Sequence, residues 1–182
     1  MNANPVAVTS GESPSLFKDS FESPAPPPPD PRLPPFAVRL FNKCAYGPRP
    51  EDVASFNALA SNDVSRLNLW LDRQLTPASI NDSACNTRIA NGNFRTYSRT
   101  LPELWAIHVR GAENTGNPRN APVDEATCIK LIRAVYSECQ LYEVMVDFWH
   151  NHFNVQGWEY SIAPIFMHYD RDVMRGVHPT NG

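Results

Sequence analysis

Apolar residues along this chain recur at helical spacing, and the breaks between the recurring stretches divide it into a series of short helices. Phe36, Val38, Leu40 and Phe41 predict a first helix that stops at Tyr46-Gly47-Pro48, because glycine and proline together break helices. Pro50-Glu51-Asp52 has the form of a helix first turn, where proline forfeits no hydrogen bond and two carboxylates favour the positive end of the dipole; Val53, Phe56 and Ala60 continue it on one face. Ser61-Asn62-Asp63 predicts a cap for a helix whose buried face is Val64, Leu67, Leu71 and Leu75, ended by Pro77. Residues 78–99 are polar and weakly periodic and predict a loop with irregular turns. Thr100-Leu101-Pro102-Glu103 reads as a capping box opening a helix to about Arg110, and residues 111–123 are a loop by composition. Asp124 is expected to cap a strong helix with Cys128, Leu131, Ile132 and Val135 facing inward, and after a break near 137–140 a last helix follows over 140–153. No stretch alternates with period two for long enough to propose a sheet. The fold class expected is all-α, an irregular helical bundle.

Proline changes that picture at one end. The chain of 182 residues holds 18 prolines and only 8 glycines, and residues 24–35 read Ser-Pro-Ala-Pro-Pro-Pro-Pro-Asp-Pro-Arg-Leu-Pro, ending in Pro35. A residue with fixed φ and no N–H builds neither a helix interior nor a central strand, so the tract predicts extended polyproline II. Residues 1–23 offer too little apolar surface to offset ordering entropy. The expected organisation is a disordered proline-rich arm over 1–35 and a helical domain over 36–182. Such an arm more often links than binds, although an SH3-like or WW-like groove would suit it.

Net charge is −3 with acidic and basic residues interspersed, so the basic stripe of a nucleic-acid surface is missing and no nucleic-acid partner is expected. No apolar run approaches the length of a membrane span. The N-terminus lacks a basic segment followed by an apolar one, which predicts a cytoplasmic location. Cys44, Cys85, Cys128 and Cys139 form no Cys-x-x-Cys pair and no zinc-finger spacing, so they are expected as reduced, partly buried thiols.

Chemistry concentrates in residues 141–155. At about 100° per residue Leu141, Val144, Met145, Phe148, Trp149 and His152 fall on one face, which predicts that face as buried and His152 as a core histidine. Glu143, Asp147 and His150 stack on the opposite side. Two oxygens and one nitrogen on one stripe suit a divalent metal such as Zn, Mn or Fe, with partners from another element. The competing reading is a solvated helix face carrying a salt bridge. His168, Asp170 and Asp172 are the candidates to complete a site if the chain folds back after 153. Asp170, Arg171 and Asp172 could equally form a structural charge network. His108 shares a face with Leu101, Leu104 and Trp105 and is expected to be structural. A phosphate-cradling glycine loop, a Gly-x-Ser-x-Gly elbow and a His-Glu-x-x-His pair are all lacking.

Two segments resemble the large bacterial family known as domain of unknown function 1800. One runs Arg39-Leu40-Phe41-Asn42-Lys43-Cys44-Ala45-Tyr46-Gly47-Pro48-Arg49-Pro50-Glu51-Asp52-Val53. The other runs from Val144 to Val155, with Phe148-Trp149-His150-Asn151-His152-Phe153 as its most specific part, and is followed by Tyr169-Asp170-Arg171-Asp172-Val173-Met174-Arg175. The resemblance implies a mainly helical bacterial protein with no established reaction, and a family length well beyond this chain. It therefore implies a truncated member whose helices lack a C-terminal region. Two functions stay open: a helical scaffold or interaction protein, which an incomplete chain favours, and a metal-dependent or acid–base enzyme fragment using the Glu143/Asp147/His150 stripe.

Overall fold

The computed structural model describes residues 33–111 and 118–176; the proline-rich arm, apart from its last three residues, lies outside them, as do the centre of the 111–123 loop and residues 177–182. Eight α-helices follow one another with no strand among the described residues, so the all-α expectation holds. They are α1 (Phe36–Cys44), α2 (Asp52–Ala58), α3 (Asp63–Gln74), α4 (Ser83–Asn91), α5 (Leu101–Trp105), α6 (Ala121–Tyr136), α7 (Gln140–Phe153) and α8 (Phe166–His168). Helices α5 and α8 each continue in wider π-helical turns, Ala106–Arg110 and Tyr169–Met174. No helix among the described residues is long and apolar enough to cross a membrane.

Local chemistry sets several boundaries where the sequence placed them. Glycine 47 takes φ of +102°, a left-handed value that L side chains resist, and its N–H donates to the Phe41 carbonyl to close α1. Asn62 caps α3 by accepting from the Ser65 N–H at 2.9 Å. Thr100 and Glu103 form the full capping box: the Thr100 N–H donates to Glu103 at 2.8 Å and the Glu103 N–H to the Thr100 hydroxyl at 3.4 Å. Two boundaries differ. Residues 83–91, expected as loop, form α4, because Cys85 and Ile89 sit one turn apart and both are buried. Helix α6 begins at Ala121 with Pro122 in its first turn, so Asp124 lies inside that turn rather than capping it.

Two apolar clusters anchor the bundle. In the first, Ala37, Leu40, Phe41 and Ala45 pack with Phe56 and Trp70, and Leu141 of α7 reaches it from the far end of the chain. Its rings interlock edge to face, Phe41 with Phe56 at 5.9 Å and with Trp70 at 5.8 Å. In the second, Cys85 and Ile89 of α4, Leu104 of α5, Ala126 and Ile129 of α6 and Met167 of α8 meet. The helix phases differ from the leucine pattern. On α3 the buried positions are Trp70 and Gln74, while Val64 and Leu75 are each 70% exposed. On α6 Pro122, Val123, Ala126 and Ile129 are buried, and Cys128, Leu131 and Val135 face outward. The reason on α3 is that one tryptophan and a hydrogen-bonded glutamine bury more contact than two aliphatic ends: Gln74 donates to the Glu138 carbonyl at 2.9 Å and accepts from the Leu141 N–H at 3.1 Å. All four cysteines are free, with Cys85 and Cys139 buried and Cys128 exposed.

The phase of α3 can be read by urea denaturation. Trp70→Ala should cost about 3–5 kcal/mol, as truncation of a buried large aromatic does. Val64→Ala and Leu75→Ala should each stay within about 0.5 kcal/mol of the parent. A Leu75→Ala loss as large as that of Trp70→Ala would restore the leucine face.

Candidate functional site

Helix α7 is turned the opposite way from its sequence pattern. Glu143 is 3% exposed and Val146 4%, whereas Met145, Phe148, Trp149 and Phe153 are 41%, 52%, 42% and 58% exposed. His152, expected in the core, lies on the exposed side, stacked on Phe148 at 5.9 Å and edge-on to Trp149 at 5.4 Å. The buried histidine is His150, whose side chain is 9% exposed. The inversion has a physical cause in the partners that meet the ionisable stripe. An interior carboxylate is tolerated only when a cation and hydrogen bonds replace its water, and here two neighbouring helices deliver them.

Those partners come from α6 and the π-helical turns after α8. Arg175 donates from Nη1 to Glu143 at 2.7 Å and from Nε to Asp170 at 3.2 Å. Arg133 of α6 stands 3.7 Å from the other oxygen of Glu143. Asp170 accepts from His150 Nε2 at 2.8 Å, so the fold-back after residue 153 does bring Asp170 beside the helix. The His150 ring is held between Phe166 and Tyr169, with ring centroids 5.8 and 5.3 Å away. The Tyr142 hydroxyl donates to the Arg175 carbonyl at 2.9 Å and fixes the end of the returning segment.

The two carboxylates differ electrostatically. Burial pushes the Glu143 carboxyl above its ordinary value and outweighs the Arg175 and Arg133 charges that pull it down. Burial also opposes ionisation of Asp170, but the His150 hydrogen bond and the Arg175 charge prevail and hold it below the ordinary carboxylate value. Arg175 is held above its usual value: burial lowers it, and Asp170 and Glu143 together more than compensate.

The residues singled out in the sequence are thus distributed among different partners. Glu143 belongs to Arg175 and Arg133, Asp147 pairs with Lys130 of α6, and His150 with Asp170. Among the described residues no three His, Cys, Asp or Glu side chains are grouped so as to hold a metal ion. Asp172 accepts from Arg171 and from His168 Nδ1, the latter at 2.6 Å. Arg171, 1% exposed, donates to the Tyr97 carbonyl and, at 3.0 Å, to the Arg99 carbonyl, tying the loop before α5 to the C-terminal turns. Asp170 and Asp172 therefore do not share Arg171, and only Asp172 contacts it. His108 is buried as expected, its Nδ1 donating to the Pro118 carbonyl at 3.0 Å. Sequence reasoning missed Arg133 and Arg175 as members of the network. Their signal was indirect: an inward carboxylate stripe requires cations, and Arg175 lies five residues beyond Asp170.

The fold and site define an all-α domain built around a buried carboxylate–guanidinium–imidazole network. The model of a family described as protein of unknown function (DUF1800) matches residues 39–178, and the chain belongs to that family. No curated protein and no solved structure matches it.

Replacing Arg175 by Gln leaves Glu143 and Asp170 buried with their principal cation gone and should cost about 3–5 kcal/mol. His150→Ala should also destabilise strongly, whereas His152→Ala should change stability by no more than about 0.5 kcal/mol. The acid limb separates Asp170 from the rest. With its folded value depressed, its contribution is complete above the unfolded value of 3.8 and is lost as the pH falls through the lower folded value. The gap in melting temperature between the parent and Asp170→Asn should therefore be constant above pH 3.8 and narrow below it. A gap that widens toward acid would contradict the assigned direction.

Proposed function

We propose that this chain is a helical docking module, whose exposed α7 face is bound by the apolar side of a helix from a protein partner. One observation carries the reading: Met145, Phe148, Trp149 and Phe153 stand in solvent while the ionisable side of the same helix is satisfied internally. Each large aromatic side chain carries about 200 Å² and roughly half is uncovered here, so the stripe leaves on the order of 400 Å² of apolar surface, a size associated with interaction sites. The rings are arranged before any partner arrives. Phe148 meets Trp149 at 5.3 Å, and Trp149 stacks on Phe153 at 5.5 Å. Order already present in the free chain lowers the entropy lost on binding. The anchors fall at 145, 148/149 and 152/153, the i, i+3/i+4, i+7/i+8 spacing that a second amphipathic helix matches. A following segment of a longer polypeptide would offer the same chemistry as a separate protein.

Site-specific photo-crosslinking tests this in cells. A crosslinker at position 148 should give an adduct whose mapped peptide is an amphipathic helix, and Trp149→Glu should abolish it; the same crosslinker at the exposed Arg73 should not give it. The parent should bind ANS, and Phe148→Glu should lower that fluorescence while moving stability by less than about 0.5 kcal/mol. No adduct at 148, or an adduct to a polar peptide, would remove the docking role.

A further inference from the structure

On the other side of α7 lies a cavity of about 150 Å³ that the ion-pair network does not fill. Val123 and Ala126 of α6 form its apolar floor, Phe166 and Trp158 its aromatic wall, and His150 and Lys130 its polar groups. Gly157 permits this wall: a Cβ there would approach the Phe166 ring to 2.8 Å. A liquid water occupies about 30 Å³, so the space corresponds to about five waters, and a small organic molecule is the largest ligand it would take.

His150 gives the cavity its chemistry. Asp170 is held ionised and can only accept, so the proton of the shared hydrogen bond sits on Nε2. The neutral ring then presents Nδ1 as an acceptor. Among the described residues Nδ1 has no hydrogen-bond partner, and it is not one of the buried polar atoms lacking one, so it is open to solvent. Lys130 is 38% exposed and commits one of its three donors to Asp147. The Thr127 hydroxyl already donates to the Val123 carbonyl at 2.8 Å and adds no donor. The cavity thus offers one cationic donor, one neutral acceptor and an apolar floor.

We propose that this cavity binds a small hydroxy acid, with its carboxylate on Lys130, its hydroxyl donating to His150 Nδ1 and its carbon chain on Val123 and Ala126. The complement follows from the donor count. A simple carboxylate satisfies Lys130 and leaves Nδ1 facing an apolar group; a simple alcohol satisfies Nδ1 and forgoes the charge-assisted contact. Asp170 is a positioning residue, holding the tautomer that makes Nδ1 an acceptor. This site does not depend on the exposed aromatic face of α7.

Sodium lactate is the probe, with sodium propionate as the control lacking the hydroxyl. Titration of the full chain, followed by the imidazole nitrogen NMR signals of His150, should saturate with a Kd on the order of 1–10 mM, as expected for so few atoms. Propionate should bind at least about fivefold more weakly, and Lys130→Met should weaken lactate at least about tenfold. Lys130→Met is at the rim, and unchanged far-UV circular dichroism would show its fold intact. Phe148→Glu should leave lactate binding unchanged, which keeps this test separate from docking. No saturable shift up to about 100 mM lactate, equal binding of propionate, or undiminished binding by folded Lys130→Met would each overturn the proposal.

Discussion

Arg175 lies between two carboxylates that have both left water, Glu143 on α7 and Asp170 on the turn that returns to it. Neither acid is tolerable in the interior without that guanidinium, and the guanidinium is itself buried. A planar fork suits the task, because Nε and Nη1 reach different acceptors at once, which a lysine ammonium on a flexible stem does less well. The arrangement fixes the rotation of α7 about its axis and the path of the chain beyond residue 166. It also recruits Arg133, so α6, α7 and the C-terminal turns meet at one charged centre. Such a centre contributes little net stability compared with an apolar core of the same size; what it supplies is a single acceptable geometry.

The rest of the bundle is consistent with that fixed rotation. With the ionisable stripe inward, the aromatic stripe of α7 has no helix of the described residues covering it, which makes it a candidate interface rather than core. Polar side chains also join the two apolar clusters. Asp82 accepts from the Ser137 hydroxyl at 2.9 Å and from the Glu138 N–H at 2.8 Å, holding the turn between α6 and α7. Gln140 accepts from the Tyr46 N–H at 3.2 Å, and Arg49 pairs with Glu138 at 2.9 Å, so the turn after α1 docks on the same corner. These are long-range contacts made by short polar groups, which specify register more than they add burial.

Helix existence was legible in the residues because capping and breaking chemistry acts over three or four positions. Gly47-Pro48, Asn62 and the Thr100–Glu103 box each act within their own segment, and each is found where the sequence put it. The missed α4 shows the limit: Cys85 and Ile89 give only two buried positions on a polar background, too weak a period to read. The family was legible as well, since the Phe148–Phe153 string and the Arg39–Val53 segment carry specific residues rather than a pattern.

Which face of a helix is buried is a different kind of question. The sequence by itself determined the all-α class, most helix limits, the pairing of Glu143 with His150 on one stripe and the family. Only the tertiary structure decided that this stripe lies inside and Trp149 outside. An amphipathic period reports that two faces differ, and burial of the apolar one is merely the cheaper default in water. That default reverses when cations from elsewhere in the chain neutralise the polar face, and Arg133 and Arg175, respectively 10 and 32 residues away from Glu143 in sequence, do so only once the chain has folded back.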